Sequence, residues 1–365
     1  MQNVGVVFGG ISNEREISIL TGVFVCNLLD RTKYQPIPLY LDEEGRWYTS
    51  FEMRDIEFFK KGEKGREVAL IKGWVYEKKK GKLKALFPLD CAINCCHGGW
   101  GEGGGVSAFM EEQGVKFASP DTLSSAVFLD KYATKLLCKS LFIPCVEYCK
   151  VCEDDYAKRG AFFIKTAVRK LGFPMVIKPS RGGSSIGVIK VENEEELKRG
   201  LIEVFTLDEK AIVEKFIANK RDINCGVYLR NGEVVVSQPE EAFSGEIYSF
   251  QEKYMKEKSK KTKEVEDELS AKIRAYTRTI YKRMGMRGVV RMDFIVSGEK
   301  VYLGEVNTVP GSLAYYLFCE KLSNAREFFS DLIEEGLKAP ERKKIVQTGA
   351  LRKVNGGKHA RGVRV

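Results

Sequence analysis

Arg291-Met292-Asp293-Phe294-Ile295-Val296-Ser297-Gly298-Glu299-Lys300-Val301-Tyr302-Leu303-Gly304-Glu305-Val306-Asn307 is the stretch that decides the fold. Two β-rich runs, 289–296 and 301–308, flank a turn near Gly298, which predicts an antiparallel strand pair. Side chains alternate along a strand, so Arg291 and Asp293 share one face, as do Glu305 and Asn307. A hairpin folded about residues 298–300 sets Asp293 roughly opposite Glu305. Val289, Met292, Phe294, Val301 and Leu303 suggest a pair packed on a core, where uncompensated carboxylates are costly. Two carboxylates and an amide oxygen beside an arginine make a hard-oxygen site suited to Mg²⁺ with bound phosphates. The plainer alternative is a solvated polar face with an ion pair.

Upstream lies Lys178-Pro179-Ser180-Arg181-Gly182-Gly183-Ser184-Ser185-Ile186-Gly187, between expected strands at 175–179 and 186–191. Its glycines let backbone N–H groups converge on an anion, its serines add hydroxyl donors, and Lys178 supplies charge. It is not a Walker loop, because a strand pattern follows it rather than a helix. A loop between two strands can move as a lid; a glycine-rich hairpin turn is the bland reading. Around it the pattern predicts a helix over 130–141, a helix capped by Asn193 with Glu196, and a strand over 211–217. Asn231-Gly232 marks a hairpin. A long amphipathic helix then carries Val265, Leu269, Ile273, Tyr276, Ile280 and Met284 on one face and stops at Gly285.

Toward the N-terminus, 4–8 reads as a buried strand, Gly9-Gly10 as a turn, and Asn13 as a helix cap with Glu16 three residues later. A second strand, 91–96, runs into His97-Gly98-Gly99-Trp100-Gly101-Glu102-Gly103-Gly104-Gly105. Both glycine turns fall at strand C-terminal ends, where open parallel sheets bind ligands. The pattern is α/β and α+β. It divides into a parallel-sheet domain over 1–125, a central subdomain over 126–225, a C-terminal subdomain over 226–345 and a basic tail over 346–365.

Composition excludes several classes. With 365 residues, 44% hydrophobic and 30% charged, the chain can fill two or three compact domains and is not disordered. No stretch reaches the roughly 18 apolar residues of a membrane span, and no basic leader precedes the first strand, so a cytoplasmic protein is expected. Ten cysteines scattered along such a chain read as reduced thiols. Cys138, Cys145, Cys149 and Cys152 lack paired C-x₂-C spacing, and His97 and His359 are remote in sequence, so they read as small buried hydrophobes rather than a zinc site. Much of the net charge of +10 sits in 253–263 and after Arg342, without interleaved aromatics. That argues against a nucleic-acid partner and suits a protein handling phosphates and carboxylates. "GEGGG" at 101–105 lacks the acidic ribose partner of a dinucleotide site.

The phosphate loop and the carboxylate–amide pair together resemble the ATP-grasp architecture, which holds ATP between two α+β subdomains. "GGISNEREIS" at 9–18, "HGGWGEGG" at 97–104, "DKYATK" at 130–135, "KPSRGGSSIGV" at 178–188, "EKFI" at 214–217, "EKY" at 252–254, "RMDF" at 291–294 and "EVNTVPG" at 305–311 occur in the order of D-alanine–D-alanine ligases. The resemblance covers the chain to about residue 340. It implies that Lys131 and Lys178 bind phosphates, with Ser184 and Ser185 in the same loop. Glu214 would take the adenine amino group, backbone at Lys215 and Ile217 the ring edge, and Asp222 the ribose. Asp293, Glu305 and Asn307 would carry two Mg²⁺ ions, Mn²⁺ being an alternative. Lys253 would reach the γ-phosphate, and Tyr254 would close a loop onto Ser184 and Glu14. Glu14 would also meet the first amino acid's amine. Arg291 and the Gly311 N–H fit the oxyanion site, and His97 is a further substrate contact.

Taken singly, Glu14 is an ordinary first-turn carboxylate and His97 a structural histidine; the order of the motifs lifts both. The implied chemistry is attack of the first carboxylate on the γ-phosphorus of ATP, then attack of the second amine on the acyl phosphate. Its setting would be a cytoplasmic enzyme of peptidoglycan precursor synthesis, with a homodimer as the family expectation. Two positions depart from the pattern. Gly182 replaces an acidic residue before Gly-Ser-Ser, and Ser312-Leu313-Ala314-Tyr315-Tyr316 replaces a Thr/Ser-rich segment that holds the second substrate's carboxylate. Tyr316 or Ser312 is then the expected carboxylate contact. D-lactate, D-serine or another amino acid stands as an alternative acceptor, and a nucleotide-binding regulatory protein without turnover as a different class.

Overall fold

The computed structural model of the protein describes residues 1–183, 185–242 and 265–339. Ser184, Lys253, Tyr254 and the basic tail therefore lie outside the described residues. Among those described, strands fall into three sheets.

The first sheet is built from β1 (Gln2–Gly9), β2 (Tyr34–Leu41), β3 (Trp47–Thr49), β4 (Arg66–Ile71), β5 (Trp74–Lys79), β6 (Lys82–Pro88), β7 (Cys91–Asn94) and β8 (Lys116–Phe117), in the order β6-β5-β4-β3-β2-β1-β7-β8. Strands β2, β1, β7 and β8 run parallel, as expected from buried apolar runs joined by helices. The other half is antiparallel, an extension that the parallel-sheet expectation did not include. Lys72-Gly73 and Lys80-Gly81, with positive φ at both residues of each pair, make two-residue turns that fold β4, β5 and β6 into a meander.

Helix Arg15–Leu28 follows β1. Asn13 does not cap it: the Ser12 hydroxyl accepts from Glu14 N at 3.0 Å, and the helix begins one residue later, at Arg15. Strand β7 ends at Asn94, earlier than expected, because the Asn94 side chain replaces the ladder. Its Oδ1 accepts from Cys96 N at 2.9 Å, and its Nδ2 donates to the Gly101 carbonyl at 2.9 Å.

The second sheet comprises β9 (Tyr148–Cys152), β10 (Met175–Pro179), β11 (Ile189–Val191) and β12 (Lys210–Lys215), ordered β11-β10-β12-β9. Helices Glu153–Leu171 and Glu194–Phe205 cover it, burying Ile164, Leu197 and Leu201 on Ile177 and Val213. Asn193 caps the second helix reciprocally. Its Oδ1 accepts from Glu196 N at 3.0 Å, while Glu196 Oε2 accepts from Glu192 N at 2.8 Å. Strand β11 starts three residues later than expected because Ser185–Val188 coils into a turn. Cys138 is fully buried, but Cys145, Cys149 and Cys152 are only half-buried, Cys149 and Cys152 because β9 is an edge strand.

The third sheet holds β13 (Arg221–Arg230), β14 (Glu233–Val236), β15 (Glu240–Glu241), β16 (Val290–Ser297) and β17 (Lys300–Asn307). The sheets change between Lys215 and Arg221, so the division expected at 225 would cut β13. Along β16 burial alternates strictly, with Val290, Met292, Phe294 and Val296 inside. Helix Asp267–Arg283 lies on that face through Ile273, Ile280 and Tyr281. Helices Thr122–Leu129 and Lys131–Ser140 join the same core through Phe128 and Cys138.

The last helix, Ala325–Leu337, returns to the first sheet, where Phe328, Phe329 and Ile333 pack among Val4, Phe8 and Tyr34. No described helix is long and apolar enough to cross a membrane.

Candidate active site

The β16–β17 ladder pairs Arg291 with Asn307 and Asp293 with Glu305. A bulge follows Asp293, where Gly304 is passed over and Phe294 pairs with Leu303. The bulge keeps the four polar side chains together while returning the apolar ones to the core. Arg291 clasps Asp293 with two parallel bonds, Nε to Oδ1 at 2.7 Å and Nη2 to Oδ2 at 2.8 Å. Asn307 Nδ2 donates to Asp293 Oδ2 at 3.0 Å. Burial pushes the Asp293 carboxyl up, Arg291 opposes that, and Glu305 adds to it. Burial disfavours the Arg291 charge, yet Asp293 and Tyr316 hold its affinity for the proton well above the ordinary value. The third Arg291 nitrogen, Nη1, donates to the Tyr316 hydroxyl at 3.2 Å.

The glycine–serine loop faces this pair. Lys131 opens the helix capped by Asp130, whose Oδ1 accepts from Tyr132 N, Ala133 N and the Ser180 hydroxyl. That places Lys131 Nζ 2.5 Å from the Gly182 carbonyl. Burial depresses the Lys131 pKa, and Glu305 raises it while Lys178 lowers it, so residues of the second and third sheets act on one ammonium. Glu214, on β12, is 6% exposed and ion-paired on both oxygens, to Lys135 at 2.6 Å and Lys178 at 2.7 Å. Burial alone would raise its pKa; the two lysines hold it down to about 2.

The first sheet supplies the third wall. Glu14 stands at the start of helix Arg15–Leu28, and its carboxylate lies against Gly98 of one glycine loop and Gly183 of the other. Glu102 Oε2 accepts from Gly98 N at 2.8 Å, and burial, with Glu14 and Glu305 nearby, raises the Glu102 pKa to about 7. His97 is buried, its Nε2 2.8 Å from the Thr21 hydroxyl, and burial lowers its pKa to about 4. Thr21 also accepts from Ser312 N at 3.3 Å.

Gly311 begins a 3₁₀ segment in which Ser312, Leu313 and Ala314 all have positive φ, 47°, 53° and 50°. Left-handed backbone costs a side-chain-bearing residue roughly 1–2 kcal/mol, so packing must hold this turn, and all three residues are buried. The Ser312 hydroxyl is buried without a hydrogen-bond partner among the described residues.

Hydrogen bonds, ion pairs and electrostatic contacts thus bring Arg291, Asp293, Glu305, Asn307, Lys131, Lys178, Glu214, Glu14, His97, Gly311, Ser312 and Tyr316 into one region. Lys215 points outward and anchors by its N–H to the Glu147 carbonyl at 3.0 Å; Ile217 is half-buried just beyond it. Asp222 sits on β13 in a surface ion pair with Lys220 at 2.7 Å. Ser185 is exposed.

Sequence reading overlooked Lys135, Glu102 and Thr21. Lys135 was findable, since it lies four residues after Lys131 on one helix face. Glu102 and Thr21 carried no signal, because only folding sets a mid-loop carboxylate against Val309 and a helix hydroxyl against His97. Among the described residues no three His, Cys, Asp or Glu side chains gather as a metal-binding group. Asp293, Glu305 and Asn307 suit a cation that draws its remaining oxygens from phosphates.

Three sheets closing on a glycine–serine loop, with a carboxylate–amide strand pair opposite, define an ATP-grasp protein. More particularly, the chain belongs to the D-alanine–D-alanine ligase family: residues 3–120 match the family's N-terminus and 137–338 its C-terminus. It is 33% identical to the D-alanine–D-alanine ligase of Thermosipho melanesiensis, over 95% of this chain and 96% of that relative. The crystal structure of D-alanine–D-alanine ligase from Helicobacter pylori superposes with a TM-score of 0.76 at 26% identity, covering 94% of this chain and all of that one. The VanG D-Ala:D-Ser ligase from Enterococcus faecalis gives 0.74 at 25% identity, over 92% and 98%.

Proposed function

We propose that the chain joins two D-alanines into D-alanyl-D-alanine at the expense of ATP, through an acyl phosphate. The observation that carries this reading is the charged face of β16–β17, where Arg291 clasps Asp293 beside Glu305 and Asn307, within electrostatic reach of Lys131. Asp293, Glu305 and Asn307 would hold Mg²⁺, which when bound offsets charge on the phosphates. Lys131 and Lys178 neutralise the transferring phosphoryl group from the opposite wall. Glu14 receives the first substrate's ammonium, and Arg291 with the Gly311 N–H stabilises the oxyanion as the second amine attacks. Tyr316 and the Ser312 hydroxyl, which has no partner among the described residues, supply donors for the second carboxylate. Ser184, Lys253 and Tyr254 keep the roles their motifs imply. The reading includes a cytoplasmic homodimer feeding peptidoglycan synthesis.

The test is phosphate release from Mg-ATP with D-alanine alone, and with D-serine or D-lactate added, products identified by mass. D-alanyl-D-alanine as the main product supports the reading. Turnover confined to a mixed pair moves the acceptor, and no turnover with any pair removes the ligase.

A further inference from the structure

Three segments far apart in sequence meet at one hydroxyl. Thr21 is fully buried on helix Arg15–Leu28, the helix that Glu14 precedes. Its oxygen accepts from the backbone N–H of Ser312 and lies 2.8 Å from His97 Nε2. A contact of the ring with the Val309 backbone favours its protonated form.

A neutral imidazole carries one N–H, and a hydroxyl one O–H and two lone pairs. In the Nδ1–H tautomer, Nε2 accepts the one proton of Thr21, whose lone pairs stay open to the Ser312 N–H. The Nε2–H tautomer would leave the buried Thr21 proton without an acceptor among the described residues.

Both ends of this chain of bonds lead to the substrate cleft. His97 opens the glycine loop that bears Gly98 and Glu102. Ser312 starts the left-handed turn, which runs through Leu313 and Ala314 to Tyr316 and its contact with Arg291. A valine at position 21 keeps the shape and removes the proton, leaving His97 Nε2 and Ser312 N–H both buried without partners.

We propose that Thr21 is a positioning residue of the second-substrate half of the site. Its hydroxyl selects the Nδ1–H tautomer of His97 and holds the Ser312–Leu313–Ala314 turn that presents Tyr316 to Arg291. This rests on the ligase reading above, in which Tyr316 and Ser312 face the acceptor's carboxylate.

Two readouts test it. The chain has only two histidines, so ¹⁵N-histidine labelling isolates the His97 ring. The wild-type protein should show the Nδ1–H tautomer; the Nε2–H tautomer overturns the proposal whatever the variants do. Thr21→Val should lose that single tautomer and raise KM for the second D-alanine about tenfold, with KM for the first D-alanine and for ATP little changed. Thr21→Ser, which keeps the hydroxyl, should restore both readouts even if the valine variant fails to fold. All three KM values rising together, an unchanged second-site KM, or a serine variant as impaired as valine each overturn it. A wild-type protein that makes no dipeptide sinks the ligase reading, while the ring tautomer still decides whether the hydroxyl works as stated.

Discussion

Glu14 Oε2 lies so close to Gly183 that a β-carbon built on that glycine would stand 3.0 Å away. The first sheet's helix thereby touches the second sheet's glycine–serine loop through a carboxylate. The same oxygen is bounded by Gly98, where a β-carbon would come within 2.6 Å of it. Gly98 has φ +65°, which a side chain also disfavours. Gly98→Ala should therefore displace Glu14 and raise KM for the first D-alanine about tenfold, as strain of about 1–3 kcal/mol would. Steady-state kinetics read this, and an unchanged first-site KM would unseat Glu14 from the amine site.

Arg291→Ala removes the proposed oxyanion partner and leaves Asp293 facing Glu305 uncompensated. Turnover should fall by about 10²–10³, the usual loss for such a group. Arg291→Lys keeps the charge but not the two-pronged grip, and should recover only part. Turnover of the alanine variant within twofold of wild type would refute the assignment.

Acid stability should carry opposing slopes. Glu214, held to about 2, contributes stability that is present above its ordinary value of 4.5 and is lost as pH falls toward 2. His97, held to about 4, binds its proton first in the unfolded chain, so stability falls as pH drops from 6.5 to 4. Glu102, raised to about 7, does the reverse, and stability falls as pH climbs from 4.5 to 7. Each is worth about 3 kcal/mol at most. Denaturant midpoints should be nearly flat between pH 5 and 6.5 and fall below 4.5. His97→Asn should turn the flat stretch into a rise on acidification, and Glu102→Gln into a fall. Parallel profiles for all three proteins would discard these values.

Tyr316→Phe deletes the hydroxyl that accepts from Arg291. Losing one hydrogen bond to a charged partner, worth about 1.5–3 kcal/mol, should raise the second-site KM at least tenfold and spare ATP. Tyr316→Ser should widen the range of acceptors, read by product mass. Wild-type constants in the phenylalanine variant would remove Tyr316 from the pocket.

Gly336→Ala probes the joint between the last helix and the first sheet. A β-carbon there would meet Ala118 Cα at 2.8 Å and Ala118 N at 2.9 Å, both backbone atoms that cannot swing aside. The variant should lose about 1–3 kcal/mol of stability. Thermal unfolding at wild-type temperature would mean that the helix packs elsewhere.

The strand pair, its turn and its polar face were legible in the sequence from period-2 alternation and one turn residue, but the bulge at Gly304 that brings Asp293 into register with Glu305 was not. Asp293 opposite Glu305 is the register observed. The Asn193 cap and the Asn231-Gly232 hairpin were legible for similarly local reasons. The meander β4–β6 was missed, since Lys-Gly turns between short, half-polar strands give little period. The Glu214 clamp and the Thr21–His97 bond were beyond reach, because each depends on which sheet faces which helix. The return of the last helix to the first sheet belongs to the same class.

That return has a consequence for how the protein is made. The core under Val4, Phe8 and Tyr34 is closed by Phe328, Phe329 and Ile333. A ribosome delivers those residues more than three hundred positions after the strand they cover. The first sheet must wait with an uncovered apolar flank while the second, whose core lies wholly within residues 149–213, can finish on its own. During synthesis the middle of this chain is free to mature before its beginning.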